Sequence, residues 1–490
     1  MNPLTLTDGY KLDHRRQYPA QTELVYSNWT ARKSRHDDIQ EVVFFGLQYF
    51  IKRYLLEEFE QNFFSKPKQE VLDSYTRRVN NYLGENQVGI AHIAALHDLG
   101  YLPIRIKALP EGTAVPIRVP MFVLYNTLPE FFWLTNYFET LLSTTVWMPC
   151  TSATLAKKYR EILDRYAAET SSTPGFVDWQ GHDFSMRGMA GLEAAMMSAA
   201  GHLLSFTGTD TIPAIDFLEK YYKADSREEL IGGSIAATEH SVMSMGSNSG
   251  ELQTFERLVK EVYPAGMVSI VSDTWDLWKV LGEYLPRLKE EILSREGKVV
   301  IRPDSGDPAD ILCGNPASEK EIERKGVIEA LWDIFGGTLN EKGYKELDPH
   351  IGAIYGDSIT LARAENICAR LKAKGFASTN VVLGIGSFTY QYNTRDTFGF
   401  AMKATYGEVA GEGREIFKDP ITDNGTKKSA KGLLRVEEGA GRIKLKEQVS
   451  WEEEGGAMQT VYENGKLLRD QTLAEIRARL KEKQEVSNKV

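Results

Sequence analysis

Lys298-Val-Val-Ile-Arg-Pro-Asp-Ser-Gly-Asp307 is the stretch that decides the fold. It begins as a short β-branched apolar run and stops at a polar turn, a pattern that is typical of a buried parallel strand. Asp307 and Pro308 then supply an N-cap and a first-turn proline, so a helix should begin there. The stretch therefore predicts a strand, a polar turn and a helix in succession.

Five other apolar runs also end at Asp, Gly or His. They are residues 202–206 before 208–210, 235–238 before 239–240, 267–271 before 272–273, 351–355 before 356–357, and 380–383 before 384–387. Most gaps between the runs show helical patterns, which predicts repeated βα units. In such folds the carboxyl ends of the strands carry the chemistry. Here those ends carry carboxylates, an arginine, a histidine and glycine turns, a set that suits a substrate with phosphates and a developing positive charge.

Length and composition limit the class of protein. The chain has 490 residues, so two or more domains are expected, and its net charge of −10 disfavours a nucleic-acid binder. Its three cysteines fit no metal or disulfide spacing, which favours a reducing cytoplasm. The N-terminus lacks the pattern of a signal peptide. The most apolar stretch, 119–147, contains Pro129 and Glu130, so we expect no membrane span.

Some residues suggest a chemical role from their position alone. Arg302 could hold a phosphate by a forked contact, and Asp304 could face a ribose or a cationic centre. His240, beside Glu239 at the end of a predicted strand, could carry a proton or accept a phosphoryl group. Phe184 could stack on a flat ring while Arg187 faces phosphate, although a helix entry with a buried phenylalanine explains that segment equally well.

Taken together and in order, these residues resemble the nicotinamide phosphoribosyltransferase family. The resemblance covers nearly the whole chain. The matching segments are residues 7–11, 17–19, 45–49, 183–188, 208–211, 239–241, 272–273, 301–306, 356–357, 394–396 and 417–420. So many matches in the same order make a chance resemblance improbable.

The resemblance implies an α/β fold of the type II phosphoribosyltransferase kind. An irregular βα barrel would span residues 181–399, and residues 1–180 with 400–490 would form a second α/β domain. The family works as a homodimer with shared active sites. Its members transfer phosphoribosyl from phosphoribosyl pyrophosphate to nicotinamide, with Mg²⁺ as cofactor and ATP as an energy-coupling co-substrate.

The resemblance also assigns roles to individual residues. Phe184 and, from the other subunit, Tyr10 would sandwich the pyridine ring, while Asp210 would accept a hydrogen bond from the carboxamide. The residues around the 5′-phosphate would be Arg302, Gly356, Asp357, Gly386 and Arg395. The residues facing pyrophosphate would be Arg187, Arg32, Lys403 and Lys418. His240 would be phosphorylated by ATP, and Asp304 would hold the ribose. Asp273 joins His240, Arg302 and Asp304 in the expected catalytic set, and the metal ligands stay open.

The chain departs from the family pattern at a few positions. Ser185 and Met186 stand where glycine and an aromatic residue are common, Ser387 stands where a further glycine is usual, and Thr238 replaces a commoner alanine. Gly188 matches the nicotinamide branch, because nicotinate enzymes more often have an arginine there. Two alternatives stay open: a nicotinate phosphoribosyltransferase, and a non-catalytic signalling protein that keeps the fold.

Overall fold

The structure is a computed structural model that describes residues 1–356, 358–418, 429–439 and 442–487, with side chains as far as residue 482. Asp357, one of the expected phosphate-binding residues, lies outside the described residues. Contacts divide the chain into two units. The first comprises Met1–Thr154, Phe217–Asp225 and Asn393–Val490, and the second comprises Leu155–Asp216 and Ser226–Tyr392.

The second unit is built on a seven-stranded sheet in which every strand pair is parallel. In spatial order its strands are Gly208–Thr209, Gly181–Asp183, Val381–Ile385, Ile351–Tyr355, Val299–Arg302, Val268–Val271 and Ala236–Ala237. A parallel bridge between Gly208 and Gly233 joins the first strand to the segment that precedes the last one, so the sheet curls around on itself. The predicted irregular βα barrel is thereby confirmed.

Helices connect these strands, as the alternating pattern predicts. They are Val177–Gln180, Leu192–His202, Pro213–Tyr222, His240–Met245, Glu251–Arg257, Leu277–Lys279, Leu285–Arg287, Lys289–Ser294, Pro308–Cys313, Glu321–Phe335, Leu361–Ala373 and Ser387–Tyr390. Asp307 caps the helix Pro308–Cys313, because its carboxylate accepts hydrogen bonds from the N–H groups of Ala309 and Asp310. The strand, turn and helix predicted from residues 298–308 therefore all form.

The first unit contains an antiparallel sheet assembled from both ends of the chain. In spatial order its strands are Glu412–Glu415, Ala401–Val409, Thr22–Thr30, Pro120–Asn126, Ile104–Ala108, Gln459–Glu463 and Lys466–Leu467. Smaller sheets pair Glu41–Val43 with Ala114–Pro116, and Leu433–Gly439 with Arg442–Val449 and Gly455–Gly456. Trp29 is fully buried in the core, stacked on Phe122 and Phe400 at centroid distances of 6.1 and 5.5 Å.

The helices of the first unit lie mainly in its N-terminal part. They are His14–Gln17, Leu47–Phe50, Lys68–Leu83, Ala91–Leu99, Leu134–Tyr137, Glu139–Thr170 and Leu473–Ser487, and π-helical turns over Ile51–Glu58 and Glu60–Phe64 prolong the second of them. Residues 139–170 form one continuous helix with Pro149 inside it. The boundary between the units, after Thr154, falls within this helix.

The boundaries of the two units differ from the ranges that the resemblance implies, which are residues 181–399 for the barrel and residues 1–180 with 400–490 for the second domain. Residues 155–180 belong to the second unit, where the hydroxyl of Ser171 hydrogen-bonds that of Thr379 (2.8 Å). Phe217–Asp225 belongs to the first unit, where the Tyr222 hydroxyl donates to the buried carboxylate of Glu111 (3.0 Å). Both contacts join residues more than 100 positions apart in the chain, and hydrophobic periodicity does not show such contacts.

One predicted strand is wrong. Residues 202–206 were expected to form a strand, yet His202 ends the helix Leu192–His202 and the strand is only Gly208–Thr209. Both ring nitrogens of His202 are engaged, with the Tyr390 hydroxyl (2.7 Å) and the Gly208 carbonyl (3.1 Å). The four apolar or small residues 203–206 fit the end of a buried helix as well as they fit a strand. The sequence pattern alone therefore could not distinguish a helix from a strand here.

Candidate active site

Phe184 follows directly after the strand Gly181–Asp183, and neighbouring strands fix its ring. Its N–H donates to the carbonyl of Ile385 (3.0 Å). A Cβ on Gly384 would lie 2.7 Å from the ring, so a glycine is needed there to leave room for it. The Arg302 guanidinium lies over the ring, 5.0 Å from its centroid. Phe184 thus presents a flat apolar surface next to a cation.

Asp210 follows the edge strand Gly208–Thr209 and pairs with His182. The His182 Nε2 lies 2.8 Å from Asp210 Oδ1. Burial acts to raise the pKa of Asp210, but the hydrogen bond and charge of His182, together with Ser234 and Arg302, outweigh it, so this pKa lies below its ordinary value. Asp210 is therefore an ionised carboxylate that can only accept hydrogen bonds, and its side chain is still partly exposed.

A second cluster, formed by His240, Asp273 and Asp304, lies at the ends of the strands Ala236–Ala237, Val268–Val271 and Val299–Arg302. The Oδ2 of Asp273 accepts hydrogen bonds from the N–H groups of Asp304 and Ser305, both at 2.8 Å. His240 Nε2 lies 3.5 Å from Asp273 Oδ1 and 3.8 Å from Asp304 Oδ1. One donor atom from each of the three residues lies within 4.8 Å of the others, an arrangement that could hold a metal ion.

The two carboxylates of this cluster have different proton affinities. Burial acts to raise the pKa of Asp273, but the backbone N–H groups of Asp304 and Ser305 outweigh it, so the pKa is lowered. Burial and the charge of Asp273 raise the pKa of Asp304. Opposite shifts in neighbouring carboxyl groups are common at catalytic centres. Asp273 is thus a fixed negative charge beside the exposed imidazole of His240.

Arg302 lies between the two groups and has hydrogen-bonding capacity to spare. Its Nε is buried and makes no hydrogen bond within the described part of the chain. A Cβ on Gly356 would lie 3.1 Å from this nitrogen, so the glycine leaves room for the guanidinium. An unpaired buried donor is costly unless a ligand satisfies it, which marks Arg302 as a binding residue.

A cavity of about 440 Å³ lies inside the curled sheet. Phe184, Asp210 and Arg302 line it near the carboxyl ends of the strands. Ser269 also lines it, and the buried Ser269 hydroxyl has no hydrogen-bond partner among the described residues. A mostly apolar cavity with a few converging polar groups is the usual form of a small-molecule site.

The remaining expected residues of the second unit lie shortly after strand ends. Arg187 is exposed on the single turn Met186–Gly188. Gly386 precedes the short helix Ser387–Tyr390 and has open space where a Cβ would lie, so the packing of this chain does not require glycine there. The Ser387 hydroxyl lies where a Cβ on Gly188 would be, so the serine that departs from the family pattern fills space that Gly188 leaves free.

The first unit gathers Arg32, Arg395 and Lys403. Burial and the charge of Arg395 lower the pKa of Arg32. Partial burial lowers the pKa of Lys403, and the charges of Arg32, Lys11 and Arg395 lower it further. Two carboxylates offset these charges in part: Asp396 accepts a hydrogen bond from Arg395 (3.3 Å), and the charge of Glu139 acts to raise the pKa of Lys403. Cations that repel one another in this way favour binding of an anion.

Tyr10 and Lys418, also in the first unit, are both exposed. The Tyr10 ring contacts His14 edge-on (5.1 Å) and lies under the Lys11 ammonium (5.3 Å). The backbone N–H of Lys418 donates to the Ser429 hydroxyl (3.0 Å). Both side chains are thus open to a ligand or to another subunit.

His182 and Ser269 belong to the site although the sequence did not single them out. His182 lies two residues before Phe184 on a short strand, so strand alternation puts both side chains on one face. Ser269 is the one polar residue within the strand Val268–Val271, and a serine inside a fully buried strand is a signal that sequence can offer. The short strand Gly181–Asp183 has no apolar run, which is why His182 gave no strand signal.

Comparison with known proteins identifies the family and agrees with the fold. A family model described as nicotinate phosphoribosyltransferase (NAPRTase) family matches residues 179–466, and a model described as nicotinamide phosphoribosyltransferase, N-terminal domain, matches residues 2–106. Among solved structures, nicotinate-nucleotide pyrophosphorylase from Pyrococcus furiosus has a TM-score of 0.58 at 14% identity, covering 99% of this chain and 97% of its own. Human nicotinic acid phosphoribosyltransferase has a TM-score of 0.54 at 16% identity, covering 98% and 93%. At these identities, the structures support the fold alone.

Curated relatives are closer in sequence. The nicotinamide phosphoribosyltransferase of Acinetobacter baylyi is 54% identical over 98% of this chain and 97% of its own length. Proteins of the same name from Mycoplasma pneumoniae and Xanthomonas campestris are 37% and 33% identical, over 88% and 97% of this chain and 94% and 97% of their own lengths. The family models and these relatives show that the chain belongs to the nicotinate phosphoribosyltransferase family, among its nicotinamide phosphoribosyltransferases.

Proposed function

We propose that this phosphoribosyltransferase uses nicotinamide as its acceptor and phosphoribosyl pyrophosphate as its donor. The observation that carries the proposal is the ionised Asp210 at a cavity that also contains two donors, Arg302 Nε and the Ser269 hydroxyl, without a hydrogen-bond partner among the described residues. A carboxamide offers an NH₂ group to Asp210 and a carbonyl oxygen to Arg302 or Ser269. A carboxylate in its place would meet the negative charge of Asp210. The flat face of Phe184 suits the pyridine ring.

In the proposed reaction the pyridine nitrogen forms a bond to the anomeric carbon of the ribose. The bond from that carbon to the pyrophosphate oxygen breaks, and its electron pair leaves with pyrophosphate. The transition state has positive charge on the sugar, which a carboxylate such as Asp304 stabilises at close range. The cation cluster of Arg32, Arg395 and Lys403 is assigned to the phosphate groups of the donor, as the family resemblance implies.

We further propose that Mg²⁺ binds beside the histidine, held by Asp273 and Asp304. The buried Asp273 Oδ1 makes no hydrogen bond among the described residues, and carboxylate oxygens are the ligands that Mg²⁺ prefers. When bound, the ion supplies charge neutralisation for pyrophosphate. His240, half-exposed next to this pair, is the residue we assign to phosphorylation by ATP. Asp273 Oδ1 lies 3.5 Å from its Nε2, a position from which the carboxylate orients the ring.

We also propose a homodimer with shared sites and a cytoplasmic location. The exposed Tyr10 ring is available to a second subunit, and the cysteines Cys150, Cys313 and Cys368 are buried free thiols. Among the described residues, helices that combine the length and apolar character of a membrane span are absent. Mixing inactive Tyr10→Ala and Phe184→Ala chains tests the shared site, because each heterodimer would regain one intact site. Recovery of no activity after subunit exchange would contradict it.

The test of the function is an assay of purified protein with the ribosyl donor, Mg²⁺ and either nicotinamide or nicotinate, with and without ATP. Nicotinamide mononucleotide and pyrophosphate should form, and nicotinate should react far more slowly. A preference for nicotinate would support the sister enzyme, and no turnover of either base would support the non-catalytic alternative.

A further inference from the structure

We infer that His182 and Gly208 are positioning residues that set the orientation of the Asp210 carboxylate and so determine which base is accepted. The inference rests on the proposed nicotinamide site. Asp210 would touch the base, whereas His182 acts through Asp210 and Gly208 acts through His182.

The His182–Asp210 hydrogen bond shows which nitrogen of the imidazole carries a hydrogen. An ionised carboxylate has no proton to donate, so Nε2 must carry the hydrogen that bridges the 2.8 Å to Asp210 Oδ1. One Asp210 oxygen is held by this bond, and the carboxylate can turn its other oxygen towards a ligand in the cavity.

The position of the ring depends on a close approach to Gly208. His182 and Gly208 are paired residues on neighbouring parallel strands. A Cβ on Gly208 would lie 2.6 Å from His182 Nδ1, closer than packed atoms allow. The other face of the imidazole is restricted by Phe184, whose centroid is 4.5 Å away. Any side chain at position 208 would therefore displace the ring from the position in which it bonds Asp210.

The backbone around Asp210 is held by a separate network. The fully buried Asp183 accepts hydrogen bonds from the hydroxyls of Thr209 (2.8 Å) and Thr211 (2.7 Å), the residues on either side of Asp210. The Asp183 carbonyl accepts the N–H of Asp210 (2.9 Å). Because these bonds do not involve His182, removing the imidazole should leave the loop in place and release only the carboxylate.

The inference is tested with His182→Leu, which removes the donor, and His182→Gln, which returns an N–H close to the position of Nε2. Gly208→Ala leaves every hydrogen-bonding group in the chain and displaces only the ring. Each change is made in wild type and in Asp210→Ser, and the thermal unfolding midpoint of each variant checks that it folds. The readouts are kcat and KM for nicotinamide, for nicotinate and for the ribosyl donor.

His182→Leu and Gly208→Ala should each raise the KM for nicotinamide by about tenfold or more, since a hydrogen bond to a charged group is lost. The donor KM should stay within about twofold, and His182→Gln should recover most of the loss. In the Asp210→Ser background the same changes should have almost no effect on the ratio of nicotinamide to nicotinate use. A purely structural role would cost the same factor in both backgrounds.

Equal losses with and without Asp210, or a fall in kcat with an unchanged KM for nicotinamide, would overturn the inference. If His182→Leu does not fold, Gly208→Ala and His182→Gln decide the question by the same ratio. A wild type that does not use nicotinamide at all would instead refute the proposed function. The two failures are therefore distinguishable in one set of assays.

Discussion

Two histidine–aspartate pairs lie at the carboxyl ends of the same parallel sheet, and they are built in opposite ways. In the His182–Asp210 pair the histidine side chain is 9% exposed and the aspartate 43%. In the His240–Asp273 pair the histidine is 49% exposed and the aspartate 7%. The hydrogen bond is short in the first pair (2.8 Å), whereas the atoms of the second are 3.5 Å apart.

The difference shows how one pair of residue types can serve two purposes. In each pair the buried partner is held by its surroundings, and the exposed partner is free to meet a ligand. At Asp210 a carboxylate is presented, which accepts hydrogen bonds and repels anions. At His240 an imidazole is presented, which can carry a proton or a phosphoryl group. In the proposed function, burial, more than residue identity, decides which member of each pair takes part in the chemistry.

The largest effect should come from removing the exposed histidine. His240→Ala should abolish phosphoryl transfer from ATP to the protein, because the variant lacks the imidazole that is the proposed phosphoryl acceptor. The ATP hydrolysis that depends on this transfer should be lost with it. Nucleotide synthesis without ATP should survive at a reduced rate. Radiolabel from γ-labelled ATP, acid-labile and base-stable, measures the step directly.

His182→Ala is the matched control for this experiment, because it removes the other histidine of the comparison. It should keep the phosphoryl label. Equal labelling of wild type and His240→Ala would remove His240 from this role, and loss of label in His182→Ala alone would reverse the proposed assignment of the two pairs.

The next effect in size concerns the exposed aspartate. Two unit charges about 4 Å apart repel by roughly 4 kcal/mol at an effective dielectric near 20, so Asp210 should favour nicotinamide over nicotinate by about a thousandfold. Asp210→Ser removes this charge and should lower nicotinamide use while raising nicotinate use. The ratio of the two kcat/KM values measures the change. A ratio that does not move would place the discrimination elsewhere in the cavity.

The sequence predicted most of the strands that carry this site. It did not predict which histidine pairs with which aspartate. Apolar runs such as Ile351–Tyr355 formed strands, and Arg302 and Asp304 lie where a strand end was expected. Gly208–Thr209 and Gly181–Asp183 are too short to show periodicity, and they position Asp210 and His182. Partners 28 residues apart that meet across a sheet leave no local pattern in a single sequence.

Gly356 and Gly384 have packing roles in the structure that the sequence did not indicate. Gly356 was expected to surround a phosphate, and in the structure it leaves room for the Arg302 guanidinium as well. Gly384 makes space for Phe184. A glycine after a strand signals a close approach, but the sequence does not say what approaches. The contribution of Gly386 and of the first-unit cations to phosphate binding stays a prediction.

Arg302 lies between the two pairs, over Phe184 and beside Asp304, so changing it should affect donor binding more than either pair alone. Arg302→Lys keeps the charge but loses the forked geometry, and a forked contact with phosphate contributes roughly 1.5–3 kcal/mol. We expect about a tenfold or greater loss in kcat/KM for the ribosyl donor. Steady-state kinetics at saturating nicotinamide measure it, and an unchanged value would indicate that Arg302 serves only to pack against Phe184.

The smallest effect should come from Gly188, which belongs to neither pair. Its backbone does not lie in the left-handed region, so alanine is allowed there, but the added methyl would overlap the Ser387 hydroxyl. Overpacking of this kind costs about 1–3 kcal/mol, and the exposed turn should keep the cost near the lower value. Gly188→Ala should therefore lower the unfolding midpoint by a few degrees. Ser387→Gly added to it should restore the midpoint, because the serine occupies the space that the methyl needs.

The ratio of nicotinamide to nicotinate use, here called the base ratio, should not move in Gly188→Ala, since no charge near Asp210 changes. If the double variant is no more stable than Gly188→Ala, Ser387 does not fill the space beside Gly188. If the base ratio shifts, the turn takes part in base selection, and the contrast between the two pairs is not sufficient to explain specificity.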